Sequence, residues 1–490
     1  MDNIYKHMMR GAAWTAMMRW VIRLIGFVNI IILARILTPQ DFGLVAMGTI
    51  VVGLIQAFTE FGTQQLLIRE QNITTDHINT AWTVKILQGA VVALLLVIFA
   101  PLAASYFNEP RAQAVINFLA LSALIGGAGN IGITLARKEL NFSIDFWCGV
   151  YARLALFLVT LVLALTLKSY WALVYGHVAG AVIGVVISYM LHPYRPRLCI
   201  KQLREYLNFS LSMVPLRIAK FINEKADSVV VGGIAGAAQL GIYNTAADLA
   251  KMMTMEIAVP LGRGLFPAYA KLNHDPAALA HAFSRVLAAS GLVIVPLGLG
   301  IGLIADDFVL LVLGEKWLEA AFYIKWLVVY AVLISLIRLM NNQILIVAGF
   351  EKRAAFASWL RVFVFVGSIV IAAQQGGVEA VAMVCPFVAL ALFPIAVVIL
   401  TRSIPITVTQ VIAALWRSAV AGLLMGLVVY WLNGVIDLGP AIRMFLAVVL
   451  GGLTYIGTVF ILWCLSGYPA GAEQVIYQRL KKQLGSNKAA

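Results

Sequence analysis

Apolar stretches long enough to cross a lipid bilayer recur along the whole of this 490-residue chain. A helix needs about 20 apolar residues to cross a hydrocarbon layer roughly 30 Å thick. In that layer each backbone N–H and C=O must be hydrogen-bonded within its own secondary-structure element, so such stretches must be α-helices. Only 12% of the residues are charged, whereas soluble domains carry about 25%. The sequence therefore predicts an all-α polytopic membrane protein.

Basic residues recur at alternate ends of these stretches, and acidic residues gather at the opposite ends. Because the positive-inside rule produces this alternation, the net charge of +14 reflects membrane topology, and we expect no nucleic-acid partner. The pattern predicts about fourteen transmembrane helices, of which the fourth covers about 113–135. Both termini are expected in the cytoplasm.

The longest internal connection, "HPYRPRLCIKQLRE" (192–205), separates two predicted halves. We expect an N-terminal lobe over 1–191 (spans 1–6), a cytoplasmic linker over 192–206 and a C-terminal lobe over 207–400 (spans 7–12). Residues 401–490 would add two further spans and a cytoplasmic amphipathic tail. The apolar and basic residues of this tail are typical of a helix that lies on the surface of an anionic membrane. The predicted fold class is therefore two six-helix lobes plus two C-terminal helices.

A sparse internal repeat relates the two predicted lobes. A shift of 198 positions places "RILTPQDFGLVAM" (35–47) over "GIAGAAQLGIYNT" (233–245), so that Gly43 coincides with Gly241. Both segments are short, turn-rich loops between apolar helices, and transporter halves commonly repeat in this way. The external corner motif that we predict consists of Arg35, Pro39, Asp41, Gly43 and Gly241.

Three stretches of the chain resemble a known family. "LARILTPQDFGLVAMGTIVVGLIQAFTEFGTQQLLIRE" (33–70) is similar to the N-terminal signature of the polysaccharide (O-antigen-type) flippases, in particular of their Wzx/colanic-acid-type branch. "DSVVVGGIAGAAQLGIYNTAADLAKMM" (227–253) and "PLGRGLFPAYAKL" (260–272) resemble the second-lobe signature of that family. The family belongs to the MOP superfamily, together with the MATE exporters and the MurJ lipid II flippases.

The resemblance implies a flippase that moves undecaprenyl-pyrophosphate-linked oligosaccharide repeat units to the outer leaflet by alternating access. Such a protein lies in the bacterial cytoplasmic (inner) membrane and serves capsule, exopolysaccharide or O-antigen biosynthesis. Its partners would be the lipid-linked oligosaccharide, membrane lipids and the polysaccharide polymerase machinery. It would be a carrier that has no enzymatic activity and needs no cofactor.

Charged side chains inside the spans need a water-filled cavity or a partner, because each costs at least ~2.5–3.5 kcal/mol at the bilayer centre. A guanidinium can bind phosphate through two parallel hydrogen bonds, so basic residues of both lobes suit a pyrophosphate headgroup. The predicted substrate-binding cations are Arg19, Arg23, Arg217, Lys220 and Arg338. The resemblance likewise makes Arg19 and Arg23 the equivalents of cavity arginines on the first span.

Long basic side chains near span ends have an alternative, which is to extend toward the lipid headgroups. This alternative stays open for Arg19, Arg217 and Lys220. It is the interpretation that we favour for Lys85, Arg153 and Arg361.

The chain contains no GxxxxGK[ST] motif for nucleotide binding, so an ion gradient or the membrane potential would drive transport. The predicted proton- or sodium-binding acids are Glu224, Asp227, Asp248 and Glu256. Asp227 can equally be a structural partner of a neighbouring lysine. The histidines do not cluster and the four cysteines show no paired spacing, so neither a metal site nor a disulfide is predicted.

Two other functions stay open at the level of sequence. A cation-coupled multidrug exporter of the MATE type would share the fold, but a carrier of organic cations should line its cavity with acids and aromatics. A membrane-embedded glycosyltransferase or polymerase should present a sizeable external loop with catalytic residues. The longest predicted external segments here have only about ten residues.

Overall fold

Helices make up nearly all of the computed structural model, which describes residues 2–468 except 61, 71, 273, 342 and 436–437, together with residue 474. The chain divides into two compact units, residues 1–244 and 245–490. The first unit contains α1 (Asp2–Ile36), α2 (Pro39–Thr59), α3 (Thr63–Arg69), α4 (Thr75–Tyr106), α5 (Arg111–Gly127), α6 (Gly132–Lys138), α7 (Phe142–Leu167) and α8 (Trp171–Leu191). The helix α9 (Leu203–Leu272) begins in the first unit and ends in the second. The second unit continues with α10 (Pro276–Leu303), α11 (Ala305–Phe308), α12 (Glu319–Asn341), α13 (Gln343–Val347), α14 (Glu351–Thr401), α15 (Val408–Val435) and α16 (Pro440–Leu465).

Among the described residues, eleven helices are long and apolar enough to cross a membrane, or twelve if the bent pair α5–α6 forms one span. Two of them, α9 with 70 residues and α14 with 51, are longer than the ~20 residues that one crossing requires. Each is interrupted by non-helical backbone, at Gly236 in α9 and at Gly376 and Gly377 in α14. The all-α polytopic fold is therefore confirmed, whereas the count of fourteen spans stays a prediction.

The first predicted corner is a sharp helix start at Thr38. The Thr38 side chain accepts a hydrogen bond from the Asp41 backbone N–H (3.3 Å), and Asp41 Oδ2 accepts one from the Thr38 N–H (2.9 Å). This reciprocal capping satisfies N–H groups that the first helical turn leaves without partners, and Pro39 begins α2 with its backbone angle already suited to a helix. Asp41 Oδ1 also accepts a hydrogen bond from the backbone N–H of Tyr170 (3.0 Å), which ties the corner to the start of α8.

The second corner is the break at Gly236, which lies 198 residues after Thr38. Its φ of 73° and ψ of −172° belong to a region of backbone space that is essentially restricted to glycine. The shift that relates the two sequence segments therefore places one helix break on the other.

In the first unit α7 packs on α8, α4 on α5, and α1 on α7. A small apolar core, in which Leu66, Ile131 and Tyr206 are 1% exposed, joins the short helices α3 and α6 to the beginning of α9. The Tyr206 hydroxyl donates to the His77 carbonyl at 3.1 Å, so this core also holds the first turn of α4. These contacts fix the positions of the short helices α3 and α6.

In the second unit α12 packs on α14, α10 on α15, and α15 on α16. Two polar contacts fix α16: Arg443 Nε donates to Asp307 Oδ2 at 2.7 Å, and the Tyr455 hydroxyl donates to the Leu292 carbonyl at 3.1 Å. The two C-terminal helices are thus integral to this unit. The predicted amphipathic tail and the side chain of Glu256 lie outside the described residues.

Candidate functional site

A polar cavity lies inside the first unit, although the helices around it are strongly apolar. Its first chamber has a volume of about 370 Å³ and lies between α2, α3, α4, α5 and α8. Amide and hydroxyl side chains line it, namely Gln56, Gln64, Gln65, Gln88, Thr63 and Ser122. Its ionisable groups are Glu60, Lys85 and His177, of which His177 donates through Nδ1 to the Leu173 carbonyl at 2.9 Å.

A second chamber of about 290 Å³ adjoins the first and shares Gln64 and Lys85 with it. It extends to Arg137 and Asp145. Arg137 donates to Asp145 Oδ1 at 2.5 Å and to Gln64 Oε1 at 2.8 Å, so its charge is paired and its orientation is fixed from two sides. We refer to the two chambers together as the unit-1 cavity.

The unit-1 cavity adjoins a broken span. The sequence predicts a span over 113–135, but α5 ends at Gly127 and α6 begins at Gly132 with a bend of 58° between them. Buried Asn130 holds the break: its Oδ1 accepts from the Gly132 N–H (2.8 Å) and its Nδ2 donates to the Tyr194 carbonyl (2.9 Å). In transporters, unwound backbone of this kind commonly lines a ligand or ion site.

His192 supports the same break from the loop after α8. Its Nδ1 accepts a hydrogen bond from the Tyr194 N–H at 3.2 Å, and a Cβ on Gly132 would overlap its ring. Burial lowers the pKa of His192, and nearby Arg195 acts in the same direction while Glu139 opposes it.

Lys85 lies inside the unit-1 cavity, so its predicted extension toward the lipid headgroups is wrong. Its Nζ donates to the Gly129 carbonyl at 3.0 Å, within the break between α5 and α6. A Cβ on Gly129 would come within 2.8 Å of this Nζ, so the glycine leaves room for the ammonium group. The glycine-rich cluster "GGAGNIG" (126–132) lies at this break, and the sequence analysis did not single it out.

Arg153 also points into protein, because its guanidinium packs on Gly26 of α1 and its Nε is buried.

The predicted substrate-binding cations differ in burial and in their contacts. Arg217 is largely buried and contacts Glu60, with 3.7 Å between Nη2 and Oε1 and a hydrogen bond from Nη1 to the Glu60 carbonyl. Because Glu60 lines the unit-1 cavity, Arg217 lies at the margin of that cavity. Arg19 is half-buried, Arg23 and Lys220 are exposed, and Arg338 is half-buried on α12 of the second unit.

Of the four predicted ion-binding acids, Asp227 alone is buried among those whose side chains the structure describes, with 2% exposure. Its Oδ2 accepts a hydrogen bond from the Tyr243 hydroxyl at 3.2 Å, across the break at Gly236. The adjacent Ser228 hydroxyl donates to Asn244 Oδ1 at 3.3 Å. These bonds join the two arms of α9 on either side of the break. Glu224 is half-buried and Asp248 is exposed.

The corner motif is partly assembled in the first unit. Gly43 and Gly241 are in direct backbone contact, and Pro39 contacts Gly241. Asp41 caps α2, whereas Arg35 is exposed.

Residues 32–322 match the model of a family described as polysaccharide biosynthesis protein. This range contains all three stretches on which the family resemblance was based, at 33–70, 227–253 and 260–272. That resemblance is therefore confirmed.

Three curated relatives have related names. The chain is 28% identical over 381 residues to the lipopolysaccharide biosynthesis protein WzxC of Escherichia coli K12, covering 75% of each chain. It is 23% identical to the teichuronic acid biosynthesis protein TuaB of Bacillus subtilis, covering 93% of this chain and 96% of that one. A third relative, a membrane protein of the cps region of Klebsiella pneumoniae, is 28% identical, and the chain spans 65% of its length.

Two solved structures establish the fold. The lipid II flippase MurJ in an inward closed conformation aligns with a TM-score of 0.74 at 12% identity, covering 91% of this chain and 98% of that one. An inward-facing MATE-family multidrug transporter of the MOP superfamily aligns with a TM-score of 0.59 at 15% identity, covering 78% and 95%. The chain therefore has the fold of these two transporters, and it is more similar to the first of the two structures.

Proposed function

The chain belongs to the family of polysaccharide biosynthesis proteins, and on that basis we propose that it is a flippase for lipid-linked oligosaccharide. It moves repeat units carried on undecaprenyl pyrophosphate across the bacterial cytoplasmic membrane by alternating access, for capsule, exopolysaccharide or O-antigen biosynthesis. Both termini lie in the cytoplasm, and the polymerase that extends the polysaccharide receives the product. The protein acts as a carrier and catalyses no covalent step.

The observation that carries this proposal is the family match over residues 32–322, which extends into both compact units. Two relatives with matches over 75% or more of their length are named for the biosynthesis of lipopolysaccharide and teichuronic acid. A polysaccharide repeat is made on the inner face of a membrane and used outside it, so its pathway needs a carrier for a very polar cargo. The long apolar helices and the absence of a nucleotide-binding motif suit such a carrier.

The pyrophosphate of the cargo would bind to Arg19, Arg23, Arg217, Lys220 and Arg338. Arginine is suited to this role because its planar guanidinium offers two parallel donors to a phosphate. The contact of Arg217 with Glu60 reduces the positive charge at that point, so we assign the larger share of binding to Arg19 and Arg23 on α1. Ion coupling would involve Glu224, Asp227, Asp248 and Glu256.

An export assay tests this proposal. In cells that lack their own flippase, Arg19→Ala, Arg23→Ala and Arg217→Ala are each expected to reduce surface polysaccharide at least tenfold at equal membrane levels of the protein. Arg111→Ala is the matched control, because Arg111 is exposed, donates a hydrogen bond to Glu109 (2.8 Å) and is not one of the predicted substrate-binding cations. Normal export by all three variants would refute the cationic site.

The alternative of a MATE-type exporter has weaker support, because the MATE structure aligns with the lower TM-score. An exporter of organic cations would raise resistance to ethidium or similar dyes, and we expect no such rise. A polymerase or glycosyltransferase would form product from lipid-linked sugar when purified. We expect the purified protein to leave such a substrate chemically unchanged.

A further inference from the structure

The unit-1 cavity holds a cation that no carboxylate neutralises. Within the described part of the chain Lys85 forms no ion pair, and its Nζ donates to the Gly129 carbonyl. The other charges at the cavity are paired, since Arg137 contacts Asp145 and Arg217 contacts Glu60. The balance of the cavity is therefore one positive charge. An ammonium group in a setting of low dielectric attracts an anion far more strongly than it does in water.

The remaining hydrogen-bonding groups suit a ligand with many hydroxyls. A lysine ammonium has three N–H donors, and the Gly129 carbonyl accepts one of them. Two donors thus remain for a carboxylate, which has two acceptor oxygens. Around Lys85, the side chains of Gln56, Gln64, Gln88 and Ser122 line the same space. Amides both donate and accept, as sugar hydroxyls do.

The size and charge of the cavity favour a sugar carboxylate over a pyrophosphate. Chambers of about 370 and 290 Å³ are in or near the range of roughly 300–1,000 Å³ that small-molecule sites have. A pyrophosphate carries more than one negative charge, and a single ammonium would leave part of that charge buried without a partner. A monoanionic sugar leaves none.

We propose that the unit-1 cavity binds one carboxylate-bearing sugar, with the carboxylate on Lys85 and the hydroxyls on the glutamine side chains. Lys85 is not one of the predicted pyrophosphate-binding cations, and the one of them at the margin of this cavity, Arg217, is paired with Glu60. The identification of the sugar as part of the transported oligosaccharide rests on the proposed function, whereas binding itself does not. A cargo containing an acidic sugar would thus be recognised at a second point.

Binding is measured by isothermal titration calorimetry on the purified full-length protein in lipid nanodiscs. The ligands are sodium glucuronate, glucose and sodium acetate. We expect glucuronate to bind at least tenfold more tightly than either glucose or acetate. Glucose tests the need for the carboxylate, and acetate tests the need for the sugar ring. Equal affinity for acetate and glucuronate would refute a sugar site and indicate a site for small anions.

Two variants locate the site, and a third is the matched control. Lys85→Gln keeps a hydrogen-bonding side chain without the charge, and we expect at least a tenfold loss of glucuronate affinity. Gly129→Ala places a methyl group 2.8 Å from the present position of Nζ, so it should weaken binding while the lysine is retained. Lys201→Gln alters an exposed lysine that is hydrogen-bonded to Asp76 (2.8 Å), and it should leave the affinity for glucuronate unchanged. Unchanged glucuronate affinity in both cavity variants, or no binding by the unmodified protein, would refute the proposal. Because no transport is measured, the result is independent of the export assay.

Discussion

Gly43 and Gly241 pack backbone against backbone. A Cβ on Gly43 would lie 2.9 Å from the backbone nitrogen of Gly241, and a Cβ on Gly241 would lie 2.9 Å from that of Gly43. The same additions would overlap the carbonyl oxygens of Ala237 and Pro39. These glycines are the pair that the 198-residue shift equates, so the internal repeat brings its own equivalent positions into contact. The two helices can approach this closely only because neither residue has a side chain.

Gly43→Ala should therefore destabilise the protein. The added methyl group meets main-chain atoms, which cannot rotate away, and overpacking of this kind costs about 1–3 kcal/mol or more. We expect a clear fall in Tm of the detergent-solubilised protein, measured by the loss of the monodisperse size-exclusion peak after heating. Gly452→Ala is the matched control, because nothing lies within 4 Å of a Cβ at that position. Equal Tm values for the two variants would contradict the close contact.

The corner at Thr38 could be predicted because its causes are local. A capping residue, a proline and an acidic residue follow one another there, and each acts within one helical turn. The contacts of Lys85 and Arg217 could not be predicted in the same way. Their partners, Gly129 and Glu60, lie 44 and 157 positions away in the chain. Hydropathy measures how apolar a span is, but it does not tell which side of the helix faces lipid and which faces protein.

The broken span could not be predicted from local sequence either. Its 17 residues before the break and 7 after it together have the length and composition of one continuous crossing. The break depends on Asn130, whose partners are carbonyl groups of the loop after α8. Glycines within an apolar stretch are equally common in close helix packing, and only the tertiary contact distinguishes the two cases.

Tyr243→Phe should weaken the joint between the two arms of α9. It removes the hydroxyl that donates to Asp227, and a buried acceptor that loses its hydrogen-bond partner costs about 1–3 kcal/mol. We expect a lower Tm by the same assay. Tyr430→Phe removes a hydroxyl from a side chain that is 80% exposed and should leave Tm unchanged. A Tm for Tyr243→Phe equal to that of Tyr430→Phe would mean that the bond contributes nothing to stability.

Stability should fall as the pH drops below about 6.5, the ordinary pKa of histidine. Burial lowers the pKa of His192 in the folded protein, so below pH 6.5 the unfolded chain binds a proton that the folded chain resists. The folded state therefore loses stability as pH falls, until the pH reaches the lowered pKa. His192→Gln should flatten the dependence of Tm on pH between 7.5 and 5. Replacement of exposed His274 by Gln is the control and should leave the slope as it is. If the dependence of Tm on pH is unchanged in His192→Gln, then other titratable groups cause it.

The ion pair between Asp307 and Arg443 should be a main anchor of α16. The Asp307 side chain is 7% exposed, and Arg443 bonds to both of its oxygens. Arg443→Met leaves the buried carboxylate without its partner, which typically costs about 3–5 kcal/mol. The neighbouring residue provides a matched comparison. Asp306 pairs with Lys325 at 2.6 Å, but these side chains are 64% and 46% exposed, and exposed pairs contribute only about 0–1 kcal/mol.

The two pairs can be compared in one series of Tm measurements. Arg443→Met should lower Tm strongly and Lys325→Met only slightly, although each substitution removes the cation that pairs with an aspartate. Most of the loss of stability in Arg443→Met should come from the Asp307 carboxylate, which stays buried without its partner. Adding Asp307→Asn to that variant should therefore reverse part of the fall in Tm. A loss in Arg443→Met no greater than that in Lys325→Met would show that the pair does not anchor α16. The helix would then be held by its apolar contacts with α15 and by the Tyr455 bond to the Leu292 carbonyl.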